Sequence, residues 1–378
     1  QVRDEILAGL KKAFEDRDFG RVCREVARLR FNGLDPLEAI REAIGWSHDR
    51  LEYGGLETHA YAATADWLSL ADSFSEDFER QLACYAEAVD HMAVDTLRRP
   101  VFPYGRSSAI PFSRGAFLEA VEGQRHEAAE GLVRRALADG LHWTELEEVF
   151  GTAALAHYND FGHSTIYVGK TGELIARFGP SVEEQLLLPL ARQMCYASRE
   201  DLIPDFHDYA KTLARLPAPL FAGGSAERLE IPFPCSLRDA FRWLETALTT
   251  HSVTVVYDAL LTALANSLLH CDTRFSEAFD KPVQDNVGWL DFTHGVTFGN
   301  AVRTLCSRYL ELWRPGLLQL AQTEQELQAQ ERLAAERQAR GLPLRLLSRE
   351  ELQVLQPDRK STRLNSSHVS ESRMPSSA

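Results

Sequence analysis

Apolar residues recur at helical spacing along most of the chain, up to about residue 320. Val22, Val26 and Leu29 fall at positions i, i+4 and i+7, and the same spacing resumes after Asp35-Pro36. Such spacing gives a helix one apolar face. Signals for strands are weak, because apolar and polar residues do not alternate over any length and no Asn-Gly pair joins two apolar runs. The pattern therefore predicts an all-α protein with short connections.

Several positions carry helix-start signals. In Asp35-Pro36 the Asp can cap a helix and the Pro can occupy its first position. Further helices are expected to begin near Ser236, Thr250 and Asp291. Residues 100–115 and 216–236 are rich in Pro and Gly, which predicts loops there.

Three short motifs recur in the same order along the first two hundred residues. Residues 32–35 resemble 139–142, residues 57–59 resemble 160–163, and residues 81–86 resemble 192–197, with offsets of 107, 104 and 111 residues. We interpret residues 20–97 and 127–203 as two copies of one helical unit, followed by a third helical set at 237–318. The predicted fold is a helical array of these parts within a His-rich domain over residues 1–320.

The last sixty residues differ in composition from the rest. Residues 321–358 are interpreted as a separate segment. Its first part, Gln322 to Arg340, is polar and rich in Ala, Gln, Glu and Arg, which predicts a solvated helix. The stretch Leu342-Pro343-Leu344-Arg345, continued to Pro357, resembles a fragment of FAD-dependent amino-acid oxidoreductases over about residues 322–358. The GxGxxG motif of such enzymes is absent, so no FAD is expected. Residues 359–378 are Ser-rich, are predicted to be disordered, and read as adapter or translated non-coding sequence.

Net charge and cysteine content limit the classes of binding partner and the cellular compartment that we expect. The 378 residues carry a formal net charge of -14, which argues against nucleic acid as a partner. No signal peptide and no uninterrupted apolar run of bilayer length is present, so no membrane partner is expected. The six Cys show no CxxC spacing and are interpreted as reduced thiols of a cytoplasmic protein.

Four histidines are predicted to lie in the first turn of a helix. Two of them belong to an Asp-Phe-x-His motif, with Asp160 three positions before His163 and Asp291 three positions before His294. The other two are His59 and His251, in Glu57-Thr58-His59 and Thr250-His251-Ser252.

The helix dipole favours neutral imidazole at a helix start, and both metal ligation and general-base chemistry require that form. We therefore predict that His59, His163, His251 and His294 line one cavity as ligands of iron or another transition metal. Alternatively, His163 and His294 act as acid–base groups. Asp160 and Asp291 either cap the helices or orient the imidazoles. A further alternative is that the histidines only fill the core, since no HExxH or Glu-x-x-His motif is present.

Two residues near His163 could complete such a site. Tyr167 and Lys170 follow it by about one and two helical turns, hence on nearly the same face. They could supply a proton donor and a cation for an anionic substrate. For each residue taken alone, however, the favoured explanation is a Tyr packed in the core and a Lys whose stem lies along apolar surface.

The stretches Thr250-His251-Ser252-Val253-Thr254 and Thr293-His294-Gly295-Val296-Thr297, with His163 in an Asp-Phe-Gly-His context, are similar to questin-oxidase-like proteins. Those are all-helical oxidoreductases linked to Baeyer–Villiger-type oxygen insertion. The same region resembles the helical part that accompanies Rieske [2Fe-2S] domains in some bacterial proteins. The family's denser His pairs and the Rieske ligand pattern are missing here. The resemblance implies redox chemistry on an organic substrate in an apolar helical pocket.

Two functions of different classes follow from the sequence. The first is an oxidoreductase that acts on a small hydrophobic organic molecule in a His-lined cavity. The second is a non-catalytic helical module that docks a partner or a fused redox domain. An enzyme should bring the histidines together, whereas a docking module should scatter them and expose an apolar stripe.

Overall fold

The structure is a computed structural model. It describes residues 1–50, 59–97, 100–157, 160–202, 206, 209–217, 220, 223–225, 227–232, 235–270, 289–309, 317–320, 344–347 and 369–372. The chain divides into two compact units, Gln1–Glu200 and Asp201–Ala378, and each is described by itself.

The first unit contains ten described α-helices. They are α1 Val2–Asp16, α2 Phe19–Phe31, α3 Leu37–Ser47, α4 Ala60–Asp72, α5 Phe78–Thr96, α6 Arg114–Glu122, α7 His126–Ala138, α8 Trp143–Ala156, α9 His163–Phe178 and α10 Glu183–Tyr196. Short 3-10 turns at His48–Arg50, Asp160–Gly162 and Pro180–Val182 lie between them, and a fourth begins at Glu200.

Side-chain caps explain where several of these helices begin. Asp18, Asp77 and Ser113 each accept the backbone N–H three residues later, at 3.1, 3.1 and 3.2 Å. At the predicted Asp35-Pro36 start, the Asp35 carboxylate accepts the N–H of Leu37, the first residue of α3, at 2.9 Å. The helix start predicted from these two residues is therefore confirmed to within one position.

The core of the first unit lies where α5 packs on α2, α3 and α4, and where α10 packs on α7 and α9. The predicted apolar face of α2 is buried, since Val22, Val26 and Leu29 have no exposed surface. Phe117 and Phe150 pack in the second half of this core, with ring centroids 4.7 Å apart and an interplanar angle of 45°. Burial of each such side chain contributes roughly 1.5–3 kcal/mol to folding.

The loop predicted at 100–115 is fixed by a buried ion pair. The Arg192 guanidinium donates to the Glu130 carboxylate at 2.5 Å, and to the carbonyls of Phe102 and Pro103 at 2.9 and 2.7 Å. Glu130 also accepts the N–H of Gly105 at 2.6 Å. The loop is thus tied to α7 and α10, and both charges of the pair have hydrogen-bond partners.

The second unit contains α11 Tyr209–Leu213, α12 Leu237–Thr250, α13 Val253–Leu269 and α14 Trp289–Arg308. Ser236 and Ser252 cap α12 and α13. Ala247, Leu248 and Val256 form a small core between these two helices.

Three strands follow in the second unit: β1 Leu317–Leu320, β2 Leu344–Leu347 and β3 Val369–Ser372. They form an antiparallel sheet in the order β1-β3-β2. The sequence analysis did not predict this sheet, and β3 lies inside the stretch 359–378 that was predicted to be disordered. The polar helix predicted at 322–340 lies outside the described residues.

The all-α class is confirmed, because helices form nearly all of the regular structure that is described. The two-copy interpretation stays a prediction. Within the part of the chain that the structure describes, none of the helices has the length and apolar character needed to traverse a lipid bilayer.

Candidate metal centre

Helices α4 and α9 pack side by side and run in the same direction. The Lys170 ammonium donates to the Asp66 carboxylate at 2.7 Å, and the Arg177 guanidinium donates to the Asp72 carboxylate at 3.0 Å. Both ion pairs advance toward the carboxyl ends of the two helices, which an antiparallel arrangement would not allow. The two helix N-termini therefore lie next to each other.

His59 and His163 meet at these adjacent N-termini. His59 is the residue immediately before α4, and His163 is the first residue of α9. Their Nε2 atoms are 3.0 Å apart, and their rings lie 4.9 Å apart at an angle of 72°. The helix-start prediction is thus confirmed for His163 and is correct to one residue for His59.

The backbone before His163 is in an unusual conformation. Phe161 has φ 54° and the next residue, Gly162, has φ 75°, so two successive residues are left-handed. Gly tolerates this conformation, but for Phe it costs on the order of 1–2 kcal/mol. The turn brings the chain into α9 so that its first side chain faces α4.

One side of the His pair is buried and the other is open. His163 is 3% exposed, whereas His59 is exposed. The Tyr167 ring stacks on His163 with centroids 5.3 Å apart and an interplanar angle of 22°. The predicted proximity of Tyr167 to His163 is therefore confirmed, and access to the pair is from the His59 side.

The separation of the two Nε2 atoms fits ligation of one ion. A first-row metal binds an imidazole nitrogen at about 2.1 Å, and at that length two nitrogens 3.0 Å apart subtend an angle of about 90° at the metal. Adjacent positions of an octahedral or square-planar ion have this angle. A tetrahedral ion would need about 3.4 Å between the nitrogens, so the pair suits iron or copper better than zinc. An N–H···N hydrogen bond would also span 3.0 Å.

The electrostatic field of the two helix ends affects the protonation of the imidazoles and the charge of any further metal ligand. Two parallel helices present the positive ends of their dipoles to the His pair. This favours neutral imidazole, the form that binds a metal. It disfavours a bare cation, and a metal held here would thus prefer an anionic further ligand such as hydroxide or an ionised organic group.

Lys170 does not have the role that its spacing suggested. Its ammonium pairs with Asp66 and with Glu173, at 2.7 and 3.1 Å. Burial alone would lower the pKa of Lys170, but the two carboxylates outweigh burial and hold the pKa above its ordinary value. The residue serves to align α4 with α9.

The other two histidines belong to the second unit, and neither lies in the first turn of a helix. His251 is the C-cap residue of α12, with extended backbone, and precedes the N-cap Ser252 of α13. Its Nδ1 lies 2.8 Å from the Thr250 hydroxyl, and its buried Nε2 has no hydrogen-bond partner among the described residues.

His294 is the sixth residue of α14, because that helix already begins at Trp289. The first-turn prediction is wrong for both, while their predicted role as ligands stays a prediction.

The structure describes the backbone of the two aspartates that were predicted to orient the imidazoles. Asp160 opens the 3-10 turn before α9, and Asp291 is the third residue of α14. The side chains of both lie outside what the structure describes, and Glu57 lies outside the described residues altogether.

A scan against models of known protein families finds no match to this chain. Searches of curated proteins and of solved structures also find no similar protein. The resemblances to questin-oxidase-like and FAD-dependent proteins therefore stay predictions from short motifs.

The sequence analysis missed His157, which lies between two carboxylates. Its Nδ1 is 2.8 Å from Glu200 and its Nε2 is 3.0 Å from Glu122. The one available signal was its position six residues before His163, at the end of an apolar helical run. The two carboxylates come from distant parts of the chain, and no spacing rule connects them.

Proposed function

We propose that the protein is a metal-dependent oxidoreductase that acts on a small hydrophobic organic molecule, with His59 and His163 as metal ligands. The observation that carries this proposal is the 3.0 Å separation of their Nε2 atoms at the joint N-terminal end of α4 and α9. Two imidazoles held this close either share a proton or share a metal ion.

The angle that the pair would subtend favours iron or copper, which have two accessible oxidation states and so can supply redox chemistry when bound. His59 and His163 would hold such an ion, and its other ligands would be water, substrate and further protein groups. His251 and His294 remain predicted candidates for such ligands, and Asp160 and Asp291 remain predicted orienting groups.

The chain's own residues would contribute orientation and access. Tyr167 stacks on His163 and limits the orientations open to its ring. The exposure of His59 leaves an approach for an organic molecule, while the buried side excludes water. The positive helix ends favour a substrate that binds the metal as an anion, such as a phenolate or an enolate.

The predicted internal repeat would explain the arrangement. His59 and His163 are 104 residues apart, as are Asp66 and Lys170, and Asp72 and Arg177 are 105 apart. Equal offsets between facing residues are what two copies packed about a twofold axis along α4 and α9 would produce. The candidate centre would then lie where the two copies meet.

The docking-module alternative predicts scattered histidines. His59 and His163 come from different parts of the chain and nevertheless make direct contact. This pairing supports a site that brings the two His together. It argues against a surface on which each His is packed or solvated independently of the other.

The test is metal loading of the full chain with Fe²⁺ under anaerobic conditions, followed by desalting and elemental analysis. We expect His59→Ala and His163→Ala to retain about one equivalent of iron less than the wild type, while His91→Gln, a change at a half-buried His on α5, retains the wild-type amount. The bound iron should show a reversible one-electron oxidation in a spectroelectrochemical titration. Equal iron in the wild type and in His59→Ala would reject the proposal.

A further inference from the structure

A second cluster of chemically active side chains lies elsewhere in the first unit, around His157. This residue follows the last turn of α8 in extended conformation. Glu200, which is 2% exposed, faces its Nδ1 at 2.8 Å. Glu122, the last residue of α6, faces its Nε2 at 3.0 Å.

The outer side of Glu122 is fixed as well. The Arg199 guanidinium donates to the Glu122 carboxylate at 2.7 Å and to the Glu122 carbonyl at 2.7 Å. The guanidinium therefore holds the Glu122 carboxylate through one oxygen, while its other oxygen points at the imidazole.

The hydrogen-bond pattern leaves two acceptors facing each other. When the neutral His157 donates its Nδ1–H to Glu200, its Nε2 carries a lone pair. That lone pair faces a carboxylate oxygen of Glu122 at 3.0 Å. Only a proton or a cation between the two atoms makes this contact favourable.

A metal ion satisfies the same geometry. With bonds of about 2.1 Å to nitrogen and to oxygen, a separation of 3.0 Å corresponds to cis ligands at about 90°. A carboxylate on the far nitrogen of a ligating His is the usual outer partner in metal sites, where it fixes the tautomer and orients the ring. Glu200 occupies that position.

Space and charge also suit a cation. A cavity of about 330 Å³ lies beside Glu122, His157 and Arg199, with a mostly apolar wall that includes Leu118 and Met194. The cavity can hold the water or organic ligands that would complete the coordination. Two carboxylates against one guanidinium leave one negative charge in excess when the imidazole is neutral.

We infer that Glu122 and His157 form a second site for a divalent transition-metal ion, with Glu200 and Arg199 as its outer partners and the adjacent cavity as its open side. The mixed nitrogen and carboxylate donors at this angle suit manganese, iron or cobalt better than tetrahedral zinc. The inference stands on residues that the His59–His163 proposal does not use.

The experiment is a titration of the metal-free full chain with Co²⁺, followed by visible absorption and by calorimetry. We expect two sites in the wild type. Glu122→Gln should weaken one site at least tenfold, His157→Ala should abolish it, and Glu200→Gln should weaken it by about 10- to 100-fold. His91→Gln, which disrupts the His91–Asp95 pair outside both sites, should leave both sites unchanged.

Three outcomes separate this site from the first one. A site that is lost in His157→Ala and kept in His59→Ala supports the inference, whether or not the other site exists. A binding curve that Glu122→Gln and His157→Ala leave unchanged overturns it, since cobalt then binds elsewhere. No cobalt binding by the wild type overturns both sites and leaves His157 in an ion pair. Glu122 is more than half exposed, so its variant tests the site even if His157→Ala fails to fold.

Discussion

Lys170 pairs with Asp66 across 2.7 Å, and these two residues lie seven positions after His163 and His59. Seven residues are about two turns of helix, or about 10.5 Å. The ion pair and the His pair are therefore successive contacts along one parallel helix pair, α4 with α9. The ion pair helps to set the register that brings the imidazoles together.

This alignment role can be measured by a double-mutant cycle of Asp66→Asn and Lys170→Gln. Because Asp66 is largely exposed, we expect a coupling energy of only about 0.3–1 kcal/mol in urea unfolding. If the pair sets the register, both single variants should also weaken metal binding at His59 and His163. Variants that unfold more easily but bind metal as the wild type does would show that the ion pair has no part in alignment.

The buried pair of Arg192 and Glu130 should contribute far more to stability. Arg192→Met removes the cation and leaves the Glu130 carboxylate buried, with two loop carbonyls unpaired. We expect a loss of about 3–5 kcal/mol in the free energy of unfolding. Arg125→Met, which removes an exposed pair with Glu119, is the matched control and should cost less than about 1 kcal/mol. Similar losses of stability in the two variants would contradict the conclusion that the Arg192–Glu130 pair fixes the 100–115 loop.

Two helical glycines should respond to Ala in opposite directions. A Cβ on Gly131 in α7 would lie 2.5 Å from the backbone carbonyl oxygen of Arg106, whereas a Cβ on Gly169 in α9 meets nothing within 4 Å. Gly131→Ala should therefore destabilise the protein by about 1–3 kcal/mol. Gly169→Ala should stabilise it by about 0.5–1 kcal/mol, because Ala has a higher helix propensity than Gly and lowers the conformational entropy of the unfolded chain. Thermal unfolding of the two variants checks both signs, and a neutral Gly131→Ala would mean that the loop does not approach α7 as described.

Two histidines should give opposite pH dependence. Burial lowers the pKa of His48, so below about pH 6.5 the unfolded state takes up a proton that the folded state does not, and stability falls. A hydrogen bond to Asp95 raises the pKa of His91 despite burial, so its stabilising contribution is present below about pH 6.5 and is lost as pH rises through the folded value.

Urea unfolding at about pH 5 and about pH 8 separates these effects. Relative to the wild type, His48→Gln should gain stability on acidification and His91→Gln should lose it. If the free energy of unfolding changed with pH in both variants as it does in the wild type, neither His would have a pKa that differs between the folded and unfolded states.

The helical part of the fold could be predicted because it is locally encoded. The buried face of α2 follows directly from the spacing of Val22, Val26 and Leu29, and the caps at Asp35 and Ser236 mark real helix starts. The C-terminal strands could not be predicted this way, because their pairing joins residues 317–320 and 344–347 to 369–372 across long stretches of chain.

The candidate centre could be predicted only in part. The repeated motif identified His59 and His163, but their contact depends on the parallel packing of α4 and α9, which no local pattern specifies. His294 was placed at a helix start because Asp291 resembles a cap, whereas Trp289 already begins the helix. His157 was missed because its partners Glu122 and Glu200 are 35 and 43 residues away.

The most direct test of the central claim is anomalous diffraction from crystals of the iron-loaded full chain, with data on both sides of the iron absorption edge. The account predicts a peak about 2.1 Å from Nε2 of both His59 and His163, with the two bonds at about 90°. Well-ordered imidazoles about 3 Å apart with no anomalous peak between them would contradict the account, because the pair would then be an N–H···N hydrogen bond.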